Sequence, residues 1–221
     1  MPKINPNDFV VGKPGQSSTL GKGAKGGLIA TVGVIAAGLL MTFIPKEESG
    51  RTVKVEIKQT GDIAVQHVSG RQYLKAYLDI AGIPTACDGI TKGVKIGQTY
   101  TEEQCGDLVE RELVEHAHGV MACSSGLRAP GRDYQRVGAV MLGFNIGVGG
   151  WCGSTARKLL DAGNISKACD AFLRWDKAKV RGVLRPVKGL TMRRNRERQI
   201  CLTGTPGYTS ETLASRLRPY W

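Results

Sequence analysis

The pattern of hydrophobic and polar positions changes character several times along this chain. Gly26 to Ile44, GGLIATVGVIAAGLLMTFI, runs 19 residues without a charge. As a helix it rises about 28 Å, close to the roughly 30 Å of a bilayer core, and reads as one membrane span. Arg51 to Gln59, RTVKVEIKQ, sets Val53, Val55 and Ile57 against charged neighbours, the alternation of a short exposed strand or linker. Thr60 or Asp62 caps a predicted helix to about Ser69, with Ile63, Val65 (or Gln66) and Val68 inward. Leu78 to Ile90, punctuated by Gly82, Pro84 and Gly89, predicts a short β-hairpin region. From Thr101 the period becomes helical: TEEQCGDLVERELVEHAHGV opens with a Thr cap, and Cys105, Leu108, Val109 and Leu113 share a face. Further helices are expected near Tyr134–Asn145, Ser154–Ala162, Ser166–Trp175 and Met192–Leu202, separated by turn signals such as GVGG and DAGN. The tail from Thr203 reads as irregular.

A small β region beside a mostly helical body is an α+β arrangement. The chain divides into a basic N-terminus (1–25), the apolar helix (26–44), a linker or short strand (45–59), a globular domain (60–202) and a C-terminal tail (203–221).

Charge gives the apolar segment an orientation. Lys3, Lys13, Lys22 and Lys25 precede it against a single Asp8, so the positive-inside rule leaves the N-terminus in the cytoplasm and carries the rest across the inner membrane. A cleaved signal peptide and a buried core helix are the competing readings. Seven of the 19 residues are Gly or Ala, which weakens the segment as a permanent anchor. The net charge is +12, and all of the excess lies late: Met1 to Gly126 holds 13 Lys and Arg against 13 Asp and Glu, and Leu127 to Trp221 holds 18 against 6. A basic block of this kind favours polyanions such as an acidic cell wall; the plain alternative is a solvated basic surface. Elements of nucleic-acid recognition are absent, and export argues against that partner.

Six cysteines all follow residue 80, and none has the C-x-x-C spacing of a zinc or thioredoxin-like site. Neither a metal nor a cofactor is expected. On the exported side they read as disulfides, with 15 pairings open. Placement on neighbouring elements suggests Cys87 with Cys105 and Cys169 with Cys201, which leaves Cys123 with Cys152.

KAYLDIAGIPTACDG (Lys75–Gly89), YTEEQC (Tyr100–Cys105), FNIGVGGWCGSTARKLLDAG (Phe144–Gly163), ACDAFLRW (Ala168–Trp175) and RRNRERQICL (Arg193–Leu202) together resemble the phage lysozyme family. These are the endolysins, muramidases that open bacterial cell walls. The weak anchor resembles the signal-arrest-release segment of a subset of them, held at the membrane and freed to the periplasm on depolarisation. The resemblance implies a lysozyme-like fold and a monomer. Its substrate would be peptidoglycan, cleaved between N-acetylmuramic acid and N-acetylglucosamine.

The family's catalytic set is a Glu, eight residues, an Asp, five residues and a Thr. Asp79 and Thr85 match it. The Glu position falls on Gly70, or on Ser69 if the alignment slips by one, so the general acid is not matched. Such a glycosidase needs a protonated carboxyl for the leaving oxygen and a carboxylate for the water, roughly 6.5–9.5 Å apart. His67, three residues before Gly70 on the same predicted helical face, is the candidate substitute. Asp62, Glu47 and Glu48 stand farther off and would require a rearrangement. Trp151 and Trp175 are candidates for stacking on sugars or for the core. Arg193, Arg194 and Arg198 are candidates for polyanion binding or for a solvated face paired with Glu197. The alternative function is a wall-binding protein that keeps the fold without the acid.

Overall fold

The computed structural model describes residues 27–79 and 81–221. The expected cytoplasmic segment 1–25, with Gly26, lies outside them. The described residues form two compact units, one ending at Glu115 and the other running from His116 to Trp221.

In the first unit the apolar stretch forms two helices, α1 (Gly27–Val32) and α2 (Val34–Ser49), rather than one continuous span. The break is Gly33, at φ 90° and ψ 160°, a conformation that glycine adopts without a Cβ penalty. Among the described residues no helix is long and apolar enough to cross a membrane. Instead Leu28, Val32, Ala36, Ala37, Leu40, Met41, Phe43 and Ile44 are buried. Gly50 ends α2 in the left-handed conformation, its N–H reaching the Pro45 carbonyl.

The chain continues into an antiparallel hairpin of β1 (Thr52–Ile57) and β2 (Ile63–Ser69), with Val55 opposite Val65 and Ile57 opposite Ile63. The helix expected from residue 60 to Ser69 is therefore a strand. Val53, Val55 and Ile57 are buried, and their strand β1 runs against α2, so the non-local pairing overrides the local helical spacing. Thr60 and Asp62, read as helix caps, serve the turn: the Thr60 hydroxyl donates to Asp62 Oδ2, and Gly61 N–H donates to the Lys58 carbonyl.

A second, minimal hairpin pairs β3 (Tyr77–Leu78) with β4 (Pro84–Thr85), as the turn residues predicted. Helix α3 (Glu102–Ala122) opens with a reciprocal capping box. Gln104 N–H donates to Thr101 Oγ1 and Thr101 N–H to Gln104 Oε1.

The second unit is built on α4 (Asp133–Ile146), whose Val137, Ala139, Val140, Met141 and Leu142 are sealed from solvent. Around it lie α5 (Val148–Gly153), α6 (Thr155–Asp161), α7 (Ile165–Asp170) and a 3-10 turn at Ala171–Trp175. A hairpin of β5 (Lys177–Val180) and β6 (Val183–Pro186) leads into α8 (Lys188–Leu202), which packs on α4. The tail expected to be irregular contains α9 (Leu213–Leu217), held by buried Leu213 and Leu217. Arg216 ties it to α8 by donating to the Gln199 carbonyl and to Thr203 Oγ1.

Three disulfides join Cys87 to Cys105, Cys123 to Cys152 and Cys169 to Cys201. They close separations of 18, 29 and 32 residues, in the range where each restricts the unfolded chain by about 3 kcal/mol or more.

If α2 is part of the core, Leu40→Ala should lower unfolding stability by about 2–5 kcal/mol. Ile35→Ala, at a position 47% exposed, should change it by about 0.5 kcal/mol or less. Denaturant unfolding of the two variants provides the comparison.

Candidate active site

Asp79 sits at the turn that joins β3 to β4. Its N–H donates to the Ile83 carbonyl, its carbonyl accepts from Gly82 N–H, and its Oδ1 accepts from the N–H groups of Ala81 and Ile83 at 2.8 and 2.9 Å. Those two donors fix the carboxylate's direction. Thr85 pairs with Tyr77 across the hairpin and is buried, with its hydroxyl donating to the Ile83 carbonyl. Asp79 and Thr85, named from the sequence, thus share one short hairpin.

The other sequence candidates do not converge in the same way. His67 lies on β2 opposite Val53, so the helical face it was expected to share with Gly70 does not exist. Ser69 pairs with Thr52 at the end of the same hairpin. Gly70 has φ 92°, and a Cβ there would stand 2.9 Å from both Arg51 Cα and the Gly50 carbonyl oxygen. Any side chain at position 70, carboxylate or otherwise, would therefore have to displace this backbone. The close approach also shows what the hairpin is: its two ends, Gly50–Arg51 and Gly70, touch.

This closure exposes a residue the sequence reading set aside. Glu48 lies at the exposed C-terminal end of α2, and its Cβ and Oε2 stand 3.7 Å from where a Cβ on Gly89 would be. Gly89 follows Thr85 by four residues on the same loop. If residues 49–70 are taken out of the sequence, Glu48 is followed by eight residues (Arg71–Leu78) and then Asp79. The Glu–Asp–Thr spacing is intact but interrupted by a hairpin. The available signal was the ESGR of Glu48–Arg51 followed by SGR at Ser69–Arg71, a repeated Ser-Gly-Arg at both ends of the insert.

Polar contacts fix the end of α2 to that loop. Asp88 is 2% exposed and receives Arg51 Nη2 at 2.6 Å and Arg51 Nε at 3.1 Å, a two-pronged contact on its carboxylate. The Ser49 hydroxyl also reaches Asp88 Oδ1, at 2.6 Å. Arg51 Nη1 donates in addition to Glu102 Oε1 on α3, at 3.0 Å.

In the other unit, Trp151 is fully buried, edge-on to Phe172 and donating its indole N–H to Ser124 Oγ, so it is a core residue. Trp175 is 36% exposed and lines a concavity with Arg174, Ser154 and Thr155. Arg194 and Glu197 are 0% exposed and paired at 2.8 Å, with Arg193 joining the same carboxylate, so the expected solvated or polyanion-binding face is internal. Arg198 donates to Asp170. Among the described residues no group of His, Cys, Asp and Glu is arranged to hold a metal ion.

Tyr77 has its phenol pushed above the ordinary value of 10.0, first by burial and then by the negative charge of Tyr73 and Asp79. The folded phenol holds its proton more tightly than the unfolded one, so stability falls as pH rises above 10 toward the folded-state value. Ultraviolet difference titration against Tyr77→Phe should find this phenol ionising later than free tyrosine. Gly70→Ala should cost about 1–3 kcal/mol, from the strained backbone and the contact with Arg51, in denaturant unfolding.

The phage lysozyme family model matches residues 68–197. The SAR-endolysin of Pseudomonas phage phiKMV is 34% identical over 136 residues, covering 61% of this chain and 82% of that protein. The endolysin of Salmonella phage P22 is 36% identical over 157 residues, covering 67% and 99%. Among solved structures, a point mutant of the P22 lysozyme matches with a TM-score of 0.55 at 30% identity, covering 74% of this chain and 95% of that one. The active form of the P1 phage endolysin shares the fold, with a TM-score of 0.57 at 23% identity over 77% and 85%. The chain belongs to the phage lysozyme family.

Proposed function

We propose that this lysozyme cleaves the glycosidic bond between N-acetylmuramic acid and N-acetylglucosamine in peptidoglycan, lysing the host cell, with Glu48 as its general acid. The observation that carries the reading is the position of Glu48 against Gly89, on the loop that holds Thr85, with the family spacing to Asp79 restored once residues 49–70 are set aside.

In this mechanism the protonated Glu48 gives its proton to the glycosidic oxygen as the bond to the anomeric carbon breaks. Asp79 takes a proton from a water held with the Thr85 hydroxyl, and the water oxygen bonds to the same carbon from the opposite face. One water is consumed, and the proton gained by Asp79 returns to Glu48 through solvent. A wall-binding shell that lacks an acid loses its premise once Glu48 fills that role.

The segment 26–44 first inserts in the inner membrane and then leaves it, its residues 27–44 becoming α1 and most of α2 of the periplasmic enzyme, which acts as a monomer. Three features support this: the Gly and Ala content that weakens insertion, the burial of most of its apolar residues in the fold, with Val34 and Ile35 exposed, and the similarity to SAR-endolysins. Three disulfides suit the oxidising side of the membrane.

Glu48→Gln in the full chain should slow lysis of purified walls by about 10²–10⁴-fold, the usual contribution of general-acid catalysis. Wild-type lysis by that variant would remove Glu48 from the role. The released reducing ends should carry the inverted anomer. For release, Ala30→Leu with Thr31→Leu adds insertion energy of several tenths of a kcal/mol per residue at positions outside the folded core. This variant should stay with the membrane fraction after depolarisation, when wild type becomes soluble. An identical distribution of the two proteins would refute the release mechanism.

A further inference from the structure

We infer that Asp88 is a positioning residue for catalysis: through Ser49 and Arg51 it fixes Glu48 relative to the loop carrying Thr85. The inference rests on reading Glu48 as the acid. In an uninterrupted motif, eight residues tether the acid to its partner carboxylate. Here 30 residues separate Glu48 from Asp79, and 22 of them are the insert. The chain alone no longer sets the geometry.

The contacts that replace this tether converge on one carboxylate. Ser49 immediately follows Glu48, and Arg51 lies three residues beyond it. Both donate to Asp88 at 2.6 Å, and Arg51 adds a second prong at 3.1 Å. Asp88 in turn precedes Gly89, the residue that Glu48 faces, and follows Thr85 by three. Ser49, Arg51 and Asp88 each lie within three residues of a proposed catalytic group.

The clamp is also anchored from behind. Arg51 Nη1 reaches Glu102 at the start of α3, and the Cys87–Cys105 disulfide ties the residue before Asp88 to that helix. The loop is thereby held at Asp88 and at the residue before it. A two-pronged guanidinium–carboxylate contact fixes direction as well as distance, which a simple apolar contact at this place would not do. Catalysis depends on such geometry, because a displacement of about 1 Å can cost about 10²-fold in rate. An ion pair this deeply buried adds little to net stability compared with apolar packing, so its directional role is the distinctive one.

The test uses the full chain and measures turnover and KM separately on soluble peptidoglycan glycan chains, with thermal melting and disulfide mapping as fold controls. Asp88→Asn should lower kcat by about 10–10²-fold and leave KM within about twofold. Arg51→Lys keeps the charge but loses the fork, and should lower kcat in the same way. Ser49→Ala removes the hydroxyl that meets Asp88, together with its local contacts to the Pro45 carbonyl and Arg51 N–H; it should fold normally and lower kcat several-fold. If the folded variants turn over at the wild-type rate, or lose activity only through KM, the positioning role is wrong. Glu48→Gln separates the two readings. An inactive Glu48→Gln beside a fully active Asp88→Asn overturns the clamp and keeps the acid, whereas an active Glu48→Gln overturns both.

Discussion

The buried contact between the Arg51 guanidinium and the Asp88 carboxylate is the constraint on which the first unit's architecture turns. Both groups are almost wholly removed from water, so each takes from the other the hydrogen bonds that water would otherwise supply. Four pieces of chain meet around the pair: the end of α2, the two ends of the β1–β2 hairpin, the loop after Thr85 and the start of α3. Arg51 touches the last through Glu102, and Gly70 lies against its backbone closely enough that a side chain there would have to displace it. The absence of a side chain at Gly70 and the charge at Asp88 are therefore parts of one packing solution.

Helix α2 is apolar enough for the two surroundings proposed for it. A helix that is apolar on all sides has no preferred solvent face, and belongs either in lipid or in the middle of a fold. Its small residues, Ala36, Ala37 and Gly38, let neighbouring backbone approach while offering the bilayer little hydrocarbon. Gly33 breaks the run into two short helices, which a protein interior accommodates and a bilayer does not favour. The polar end of α2, from Lys46 onward, carries Glu48, the acid proposed above.

Most of this arrangement was legible in the sequence where the determining interactions are local. The capping box of α3, the Asp79–Gly82 turn and the helices of the second unit follow from capping, turn and periodic signals within a few residues. The β2 strand was misread because Ile63, Val65 and Val68 fit a helical face as well as a strand, and only the pairing with β1 decides between them. Arg193 and Arg194 pair with Glu197 as their spacing suggested, but nothing nearby in sequence announces that the group is buried or that Asn145 accepts from Arg194. Glu48 was passed over because a fixed spacing was counted along the chain, whereas only the closed hairpin brings Glu48 against Gly89. The tail helix α9 depends on Leu213 and Leu217 finding the body of the unit and on the Arg216 contacts, none of which has a local pattern.

The touching ends of the β1–β2 hairpin make this point in the chain an unusually inexpensive place to add sequence. Loop closure grows only as the logarithm of length, so stretching the connection from Glu48 to Asp79 from nine residues to 31 costs about 1 kcal/mol in closure entropy. The hairpin's own ladder and its apolar face on α2 offset that cost. A junction that accepts one folded insert without separating the two flanking residues can accept others. The turn of that hairpin, residues 58–62, is thus a port at which a small foreign domain with adjacent termini should be tolerated while Ser49 and Arg51 keep their contacts with Asp88.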